Sequence, residues 1–130
     1  MKEKGKKILI AEDDGDLMEQ MDIYLTGLGY EVLKAYNQKE AEKIISEKDF
    51  DAAVLDLMME NPDSGFILSH KIKKSFPKKP VIIVTSVTKE TGFYFDKSQD
   101  KNNWIKADLI IQKELRFEQL KKELEKLLGN

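Results

Sequence analysis

Three runs of strand length, Lys7–Ala11, Ala52–Leu55 and Val81–Thr85, are apolar along nearly their whole length rather than at every second position. A strand that buries one face alternates between apolar and polar residues, whereas a strand covered on both faces does not. Between these runs, apolar residues recur at helical spacing. The two patterns together require a sheet with helices packed on both sides. Two further strand candidates, Glu31–Ala35 and Leu109–Gln112, keep the same rhythm, and the more mixed Glu31-Val32-Leu33-Lys34-Ala35 suits a place nearer a sheet edge. A chain of 130 residues provides one domain with a substantial core and little room for a second.

The helices are marked by their stripes and their ends. Leu17, Met21, Tyr24, Leu25 and Leu28 share one face, and Gly29 stands where a residue just past a helix C-cap belongs. Asn37, with Glu40 three residues on, resembles a capping arrangement that opens a helix carrying Ala41, Ile44 and Ile45 on one face. Leu68, Ile72 and Phe76 mark a third helix, stopped by Pro77 and Pro80. Phe117, Leu120, Leu124, Leu127 and Leu128 form the apolar stripe of the last, with Lys and Glu opposite as a solvated face. The stretch 88–107 breaks the rhythm: Gly92, Asp96, Ser98, Asp100, Asn102 and Asn103 favour turns, so a long loop with at most a short helix is expected there.

Strands alternating with helices over short joints imply an α/β fold with a parallel sheet. Five strands and about five helices suit the flavodoxin-like strand order 2-1-3-4-5. In that order the first and third strands are neighbours, and their carboxyl ends carry Glu12-Asp13-Asp14 and Asp56. Carboxylates at the ends of buried strands are costly unless something offsets them. Glu12, Asp13 and Asp56 would converge on a hard-oxygen site suited to Mg²⁺. Thr85 ends the fourth strand and Lys113 follows the fifth, so a hydroxyl and an ammonium join the same edge.

Composition removes several alternatives. A net charge of −2 gives no general pull toward nucleic acid or an anionic membrane. Lys2, Lys4, Lys6 and Lys7 form a small basic head, interrupted by Glu3, that reads as a flexible solvated tail over 1–6. The absence of cysteine excludes a disulfide framework, thiolate catalysis and Cys-ligated zinc. No run approaches the length of a membrane span and the start lacks a signal-peptide core, so the expected setting is the cytoplasm.

The ordered set Ile8-Leu9-Ile10-Ala11-Glu12-Asp13-Asp14, Asp56, Thr85 and Lys113 resembles the receiver domain of two-component response regulators over essentially the whole chain. Each motif alone is weak; together, in order and on the right elements, they are specific. The resemblance implies that Asp56 is the phosphoacceptor and that Mg²⁺ is held by Asp13 directly, by Glu12 through water, by the Asp56 carboxylate and by the Met58 main-chain carbonyl. It implies that Lys113 contacts the phosphoryl oxygens and that Thr85 is the hydroxyl whose movement converts phosphorylation into a change of shape. Asp56, Thr85 and Lys113 are thus the expected chemical residues. The implied partners are a sensor histidine kinase or histidine phosphotransfer protein and an unidentified downstream protein. The expected domain spans 1–130 with no output domain, and it phosphorylates itself rather than turning over an external substrate.

The sequence departs from the family pattern at four places. Glu114 stands where the family has a proline in a cis peptide; a cis bond before another residue is costly, so a trans link or rearranged turn is expected. Ile110 occupies the usual aromatic switch position. The loop after Asp56 is slightly longer than the common form, with Pro62 displaced. The interval from Thr85 to Lys113 is also long, and the excess falls in 91–104, which carries Phe93, Tyr94, Phe95 and Trp104. Two readings of that aromatic stretch stay open: a partner-specific output element, or a cover for core left bare by a shortened helix.

Other residues read more plainly. Asp14 is expected to cap the first helix, and the spacing of Glu12–Asp16 fails the EF-hand pattern. His70, among Lys71, Lys73 and Lys74, belongs to an exposed helix face. A Mg²⁺-dependent phosphatase with an Asp nucleophile would want a second acid two residues later, where Met58 stands. A nucleotide-binding protein would want a Gly-rich loop after the first strand, which is absent. A receiver-like interaction domain that no longer uses phosphorylation is the alternative motivated by Glu114, Ile110 and the altered loop.

Overall fold

Residues 6–57, 59, 61, 63–85, 109–112 and 117–128 are described by the computed structural model, with Thr85 and 109–112 described as backbone. The basic head apart from Lys6, the stretch 88–107, Met58, Pro62, Lys113 and Glu114 lie outside the described residues.

Five strands form one parallel sheet: β1 (Lys7–Ala11), β2 (Glu31–Ala35), β3 (Ala52–Asp56), β4 (Val81–Thr85) and β5 (Leu109–Gln112), in the order β2-β1-β3-β4-β5. This is the order expected from the alternation of elements, and it puts β2, the least apolar strand, at an edge. The four described helices are α1 (Gly15–Gly27), α2 (Gln38–Glu47), α3 (Ser64–Ser75) and α4 (Phe117–Leu128). A helix between β4 and β5 would fall outside the described residues.

Because side chains alternate along a strand, the sheet feeds two separate cores. Leu9, Leu55, Val81 and Ile83 face Ala41 and Ile45 of α2 and Phe66, Leu68 and Ile72 of α3. Ile8, Ile10, Val54, Ile82 and Val84 face Met18, Met21 and Leu25 of α1 and Leu120 and Leu124 of α4. The strands between are covered on both sides, which is why their sequences are continuously apolar. Burying a side chain such as Leu25 contributes about 1.5–3 kcal/mol, so packing outweighs the weak helix propensity of Gly15 and Gly27 at the ends of α1.

The helix ends follow the expected chemistry. Gly29 adopts φ 103° just past the Leu28 cap of α1, in the left-handed region where only glycine avoids a penalty. Asn37 Oδ1 accepts from the Glu40 N–H at 2.8 Å, opening α2. Glu40 in turn accepts from the Tyr36 N–H at 2.7 Å, one residue before the cap itself. The third helix runs as expected: Leu68 and Ile72 are buried, and Phe76 caps the helix end immediately before Pro77. Phe76 is 38% exposed and packs edge-on against Phe50, with ring centroids 6.4 Å apart.

Candidate functional site

The sheet register brings the acidic residues to one edge. Ala11 pairs with Leu55, so Glu12 and Asp56 leave adjacent strands at the same level. The Glu12 N–H still donates to the Ala35 carbonyl of β2, at 3.0 Å, which extends the sheet one residue beyond β1 and fixes the Glu12 backbone. On the other side Asp56 pairs with Val84, and the Leu57 N–H donates to the Val84 carbonyl at 2.9 Å.

Glu12, Asp13 and Asp56 gather so that one carboxylate oxygen from each lies within 4.8 Å of the others. Glu12 and Asp56 are only 1% and 4% exposed, while Asp13 faces solvent. Three like charges at this separation repel, the more strongly where burial weakens screening by water. An oxygen-only donor set, two members buried and one open to solvent, has the chemistry a hard divalent cation takes. The expected convergence of Glu12, Asp13 and Asp56 is therefore present.

The neighbouring turn is built to hold it. Asp14, expected as a cap, accepts through Oδ1 from the N–H groups of Asp16 at 3.0 Å and Leu17 at 3.2 Å, so it belongs to α1 rather than to the carboxylate cluster. Its own N–H donates to Glu12 Oε2 at 3.0 Å, which orients the Glu12 carboxylate.

Thr85 closes β4 one residue past the strand partner of Asp56, and its backbone pairs with Gln112 of β5. The register thus carries the β4 and β5 ends to the edge that holds the carboxylates. Lys113 and Met58 lie outside the described residues, as does the Thr85 side chain.

Two features of the site were not singled out from the sequence. Gly65, at the start of α3, lies so close to the end of β3 that a Cβ would stand 2.7 Å from Leu57 Cα and 2.8 Å from the Asp56 carbonyl oxygen. Its N–H donates to the Leu57 carbonyl at 2.7 Å, closing the loop that follows β3. The second is a set of amide and hydroxyl groups. Ser64 Oγ, fully buried, donates to Gln38 Oε1 at 2.8 Å and accepts from the Asn61 N–H at 3.1 Å. The Ser-Gly pair ahead of the apolar stripe was the available signal for the first; the second joins residues far apart in sequence and leaves no local trace.

Comparison with known proteins agrees with this geometry. The family profile described as "Response regulator receiver domain" matches residues 8–125. The regulatory protein VanR of Enterococcus faecium is 34% identical over 90 residues, covering 66% of this chain and 38% of VanR. The transcriptional regulatory protein GlrR of Escherichia coli K12 is 33% identical over 86 residues, covering 66% of this chain and 19% of GlrR. The chain therefore spans well under half the length of these curated relatives. Among solved structures, the response regulator TrrA of Thermotoga maritima, determined in complex with Mg(2+)-BeF, superposes with a TM-score of 0.77 at 27% identity, covering 94% of this chain and 98% of that one. A CheY-like receiver domain protein of Methanospirillum hungatei superposes with a TM-score of 0.81 at 26% identity, covering 95% and 94%. No helix among the described residues is long and apolar enough to cross a membrane.

Proposed function

This chain belongs to the response regulator receiver domain family, and from that premise we propose that it accepts a phosphoryl group on Asp56 from a histidine kinase or histidine phosphotransfer protein and signals to a protein partner. The observation that carries the proposal is the gathering of Glu12, Asp13 and Asp56 from the ends of two adjacent strands. In phosphoryl transfer the protein mainly positions the reactants and balances charge.

An Asp56 carboxylate oxygen attacks phosphorus in line, forming an O–P bond as the P–N bond to the donor histidine breaks; the electron pair of that bond stays with the departing imidazole nitrogen. Burial of Asp56 limits the directions from which a donor can approach, and the Leu57–Val84 hydrogen bond fixes its backbone. Asp13, Glu12, Asp56 and the Met58 carbonyl would hold Mg²⁺, with Glu12 oriented by the Asp14 N–H. A bound Mg²⁺ would offset the charge on the phosphoryl oxygens. Lys113 would supply hydrogen bonds and a positive charge to the same oxygens, and Thr85 would report the modification by moving its hydroxyl onto them. On this reading the chain modifies itself, in the cytoplasm, and does not turn over an external substrate.

The test is incubation with Mg²⁺ and acetyl phosphate followed by intact-mass analysis. One added phosphoryl group is expected, dependent on Mg²⁺ and abolished by Asp56→Asn. An unmodified wild-type protein that also shows no Mg²⁺-dependent response to beryllofluoride would instead support the phosphorylation-independent interaction module suggested by Glu114 and Ile110.

A further inference from the structure

Among the described residues, the Gln38 side chain ties the loop between β3 and α3 to α2. Gln38, the first residue of α2, accepts through Oε1 from Ser64 Oγ at 2.8 Å and from Asn61 Nδ2 at 3.1 Å, and donates through Nε2 to Glu42 Oε2 at 2.9 Å. Ser64 in turn accepts from the Asn61 N–H at 3.1 Å and donates its own N–H to the Asn61 carbonyl at 3.2 Å. The base of the same loop is closed by the Gly65 N–H on the Leu57 carbonyl.

Gln38 also stands three residues beyond Ala35, whose carbonyl holds the Glu12 N–H. One short segment, 35–38, therefore touches both halves of the carboxylate cluster: the Glu12 backbone through Ala35, and the loop leaving Asp56 through Gln38. Lengthening a loop costs little chain entropy, but it removes the constraint that fixes where the loop lies. The loop after Asp56 receives such a constraint from outside, because a buried hydroxyl and Asn61 share one amide oxygen of α2.

We infer that Gln38 is a positioning residue that fixes Asn61 and Ser64, in the loop that follows β3, against α2 and thereby sets the cation-facing geometry of the Asp56 side of the site. The inference rests on the phosphoacceptor reading above. Gln38 acts through Ser64 and Asn61.

Three proteins decide it: the unaltered chain, Gln38→Ala, and the double variant Gln38→Glu with Glu42→Gln. In the double variant a carboxylate at 38 accepts from Ser64, Asn61 and the new amide at 42, so every bond of the latch is restored with no change in net charge. Mg²⁺ affinity is measured by titration calorimetry, and exchange of the Asn61 and Gly65 amides by hydrogen–deuterium exchange. Gln38→Ala is expected to weaken Mg²⁺ binding by about three- to ten-fold, below the range seen when a direct partner of a metal ligand is lost. It should speed exchange at Asn61 and Gly65 while leaving β1 and α1 unchanged. The double variant should return both readouts to at least the level of the unaltered chain. Unchanged affinity and unchanged loop exchange in Gln38→Ala would overturn the inference, as would loss of protection spread over the whole molecule or failure of the double variant to restore the loop. Absence of Mg²⁺ binding by the unaltered chain would instead remove the function proposed above and the cation half of this inference, while the exchange measurement still decides whether Gln38 holds the loop.

Discussion

The two ends of the sheet treat charge in opposite ways. At the carboxyl edge, Glu12, Asp13 and Asp56 bring charges of one sign together. At the amino edge, Lys79 is surrounded by groups that favour a cation: its Nζ lies 5.1 Å from the Phe50 ring centroid and 4.9 Å from that of Phe76, pairs with Asp49 Oδ1 at 3.1 Å, and donates to the Phe50 carbonyl. Nearby, Asp51 Oδ2 accepts from the Lys7 N–H at 2.7 Å, joining the start of β1 to the start of β3. Among the described residues, the amino edge pairs opposite charges whereas the carboxyl edge gathers like ones. A site that gathers like charges departs from what stability alone favours, which marks it as a candidate functional site.

Substituting Gly65 should show the largest effect, because it strikes the backbone that carries the site. A Cβ at 2.7 Å from Leu57 Cα meets main chain rather than a yielding side-chain tip, so Gly65→Ala forces β3 and α3 apart. We expect a loss of about 2–3 kcal/mol in denaturant unfolding, at the upper end of overpacking costs, together with loss of phosphorylation. Gly15→Ala, where a Cβ meets nothing within 4 Å, is the matched control: it should leave phosphorylation unchanged and raise stability slightly, by the helix propensity gained. Equal effects of the two substitutions would break the contrast.

Asp13→Asn tests the site without touching the packing. Asp13 is exposed and contributes charge rather than core. Removing that charge should weaken Mg²⁺ binding on the order of ten-fold or more, since ligand charge sets affinity at such sites. In the metal-free protein the same change should raise stability by about 1 kcal/mol, the repulsion between two charges at this range under water-like screening. Measuring unfolding with and without Mg²⁺ separates the two effects by sign. A variant less stable than wild type in the absence of metal would contradict the view that the carboxyl edge is under charge repulsion.

How far the sequence disclosed these two edges follows from the kind of signal each leaves. The sheet order and both cores were legible because double burial writes itself as continuous apolar runs, as in Ile8-Leu9-Ile10 and Val81–Val84. Glu12, Asp13 and Asp56 were legible because each ends such a run. Asp14 and Asn37 were legible as caps, since capping acts within a few residues. Phe76 was legible as the end of the third helix, since Pro77 cannot continue it. The Gln38–Ser64–Asn61 latch and the Lys79 cradle depend on residues that are distant in sequence and meet only after the sheet forms, so no local pattern could announce them.

Lys79→Met carries the comparison to the amino edge. Methionine keeps most of the aliphatic stem between the rings and removes the charge, so the loss reports the cation with Phe50, Phe76 and Asp49 rather than packing. About 1 kcal/mol is expected, within the range of a partly desolvated cation–π contact, with no change in Mg²⁺ affinity. A shift in Mg²⁺ affinity would show that the two edges are coupled through β3.

The smallest effect is the pH dependence of that same edge. The hydrogen bond from Lys79, followed by its charge, holds the Asp49 carboxyl below its ordinary range. A carboxylate whose folded pKa lies below its unfolded value binds fewer protons when folded, so its stabilising contribution is complete above the unfolded value of about 4 and fades as pH falls through the folded one. Asp22 behaves alike, lowered by its hydrogen bond from Lys34 at 2.9 Å. Both pairs are largely screened by solvent, Asp49 being 83% exposed, so the decline in melting temperature on acidification should be shallow. Because Lys79→Met removes the two largest causes of that lowering, the variant's melting temperature should fall less steeply than that of wild type as pH drops below 4. A steeper fall would mean that Asp49 gains its stabilisation elsewhere, and the cation at the amino edge would then owe its place to Phe50 and Phe76 alone.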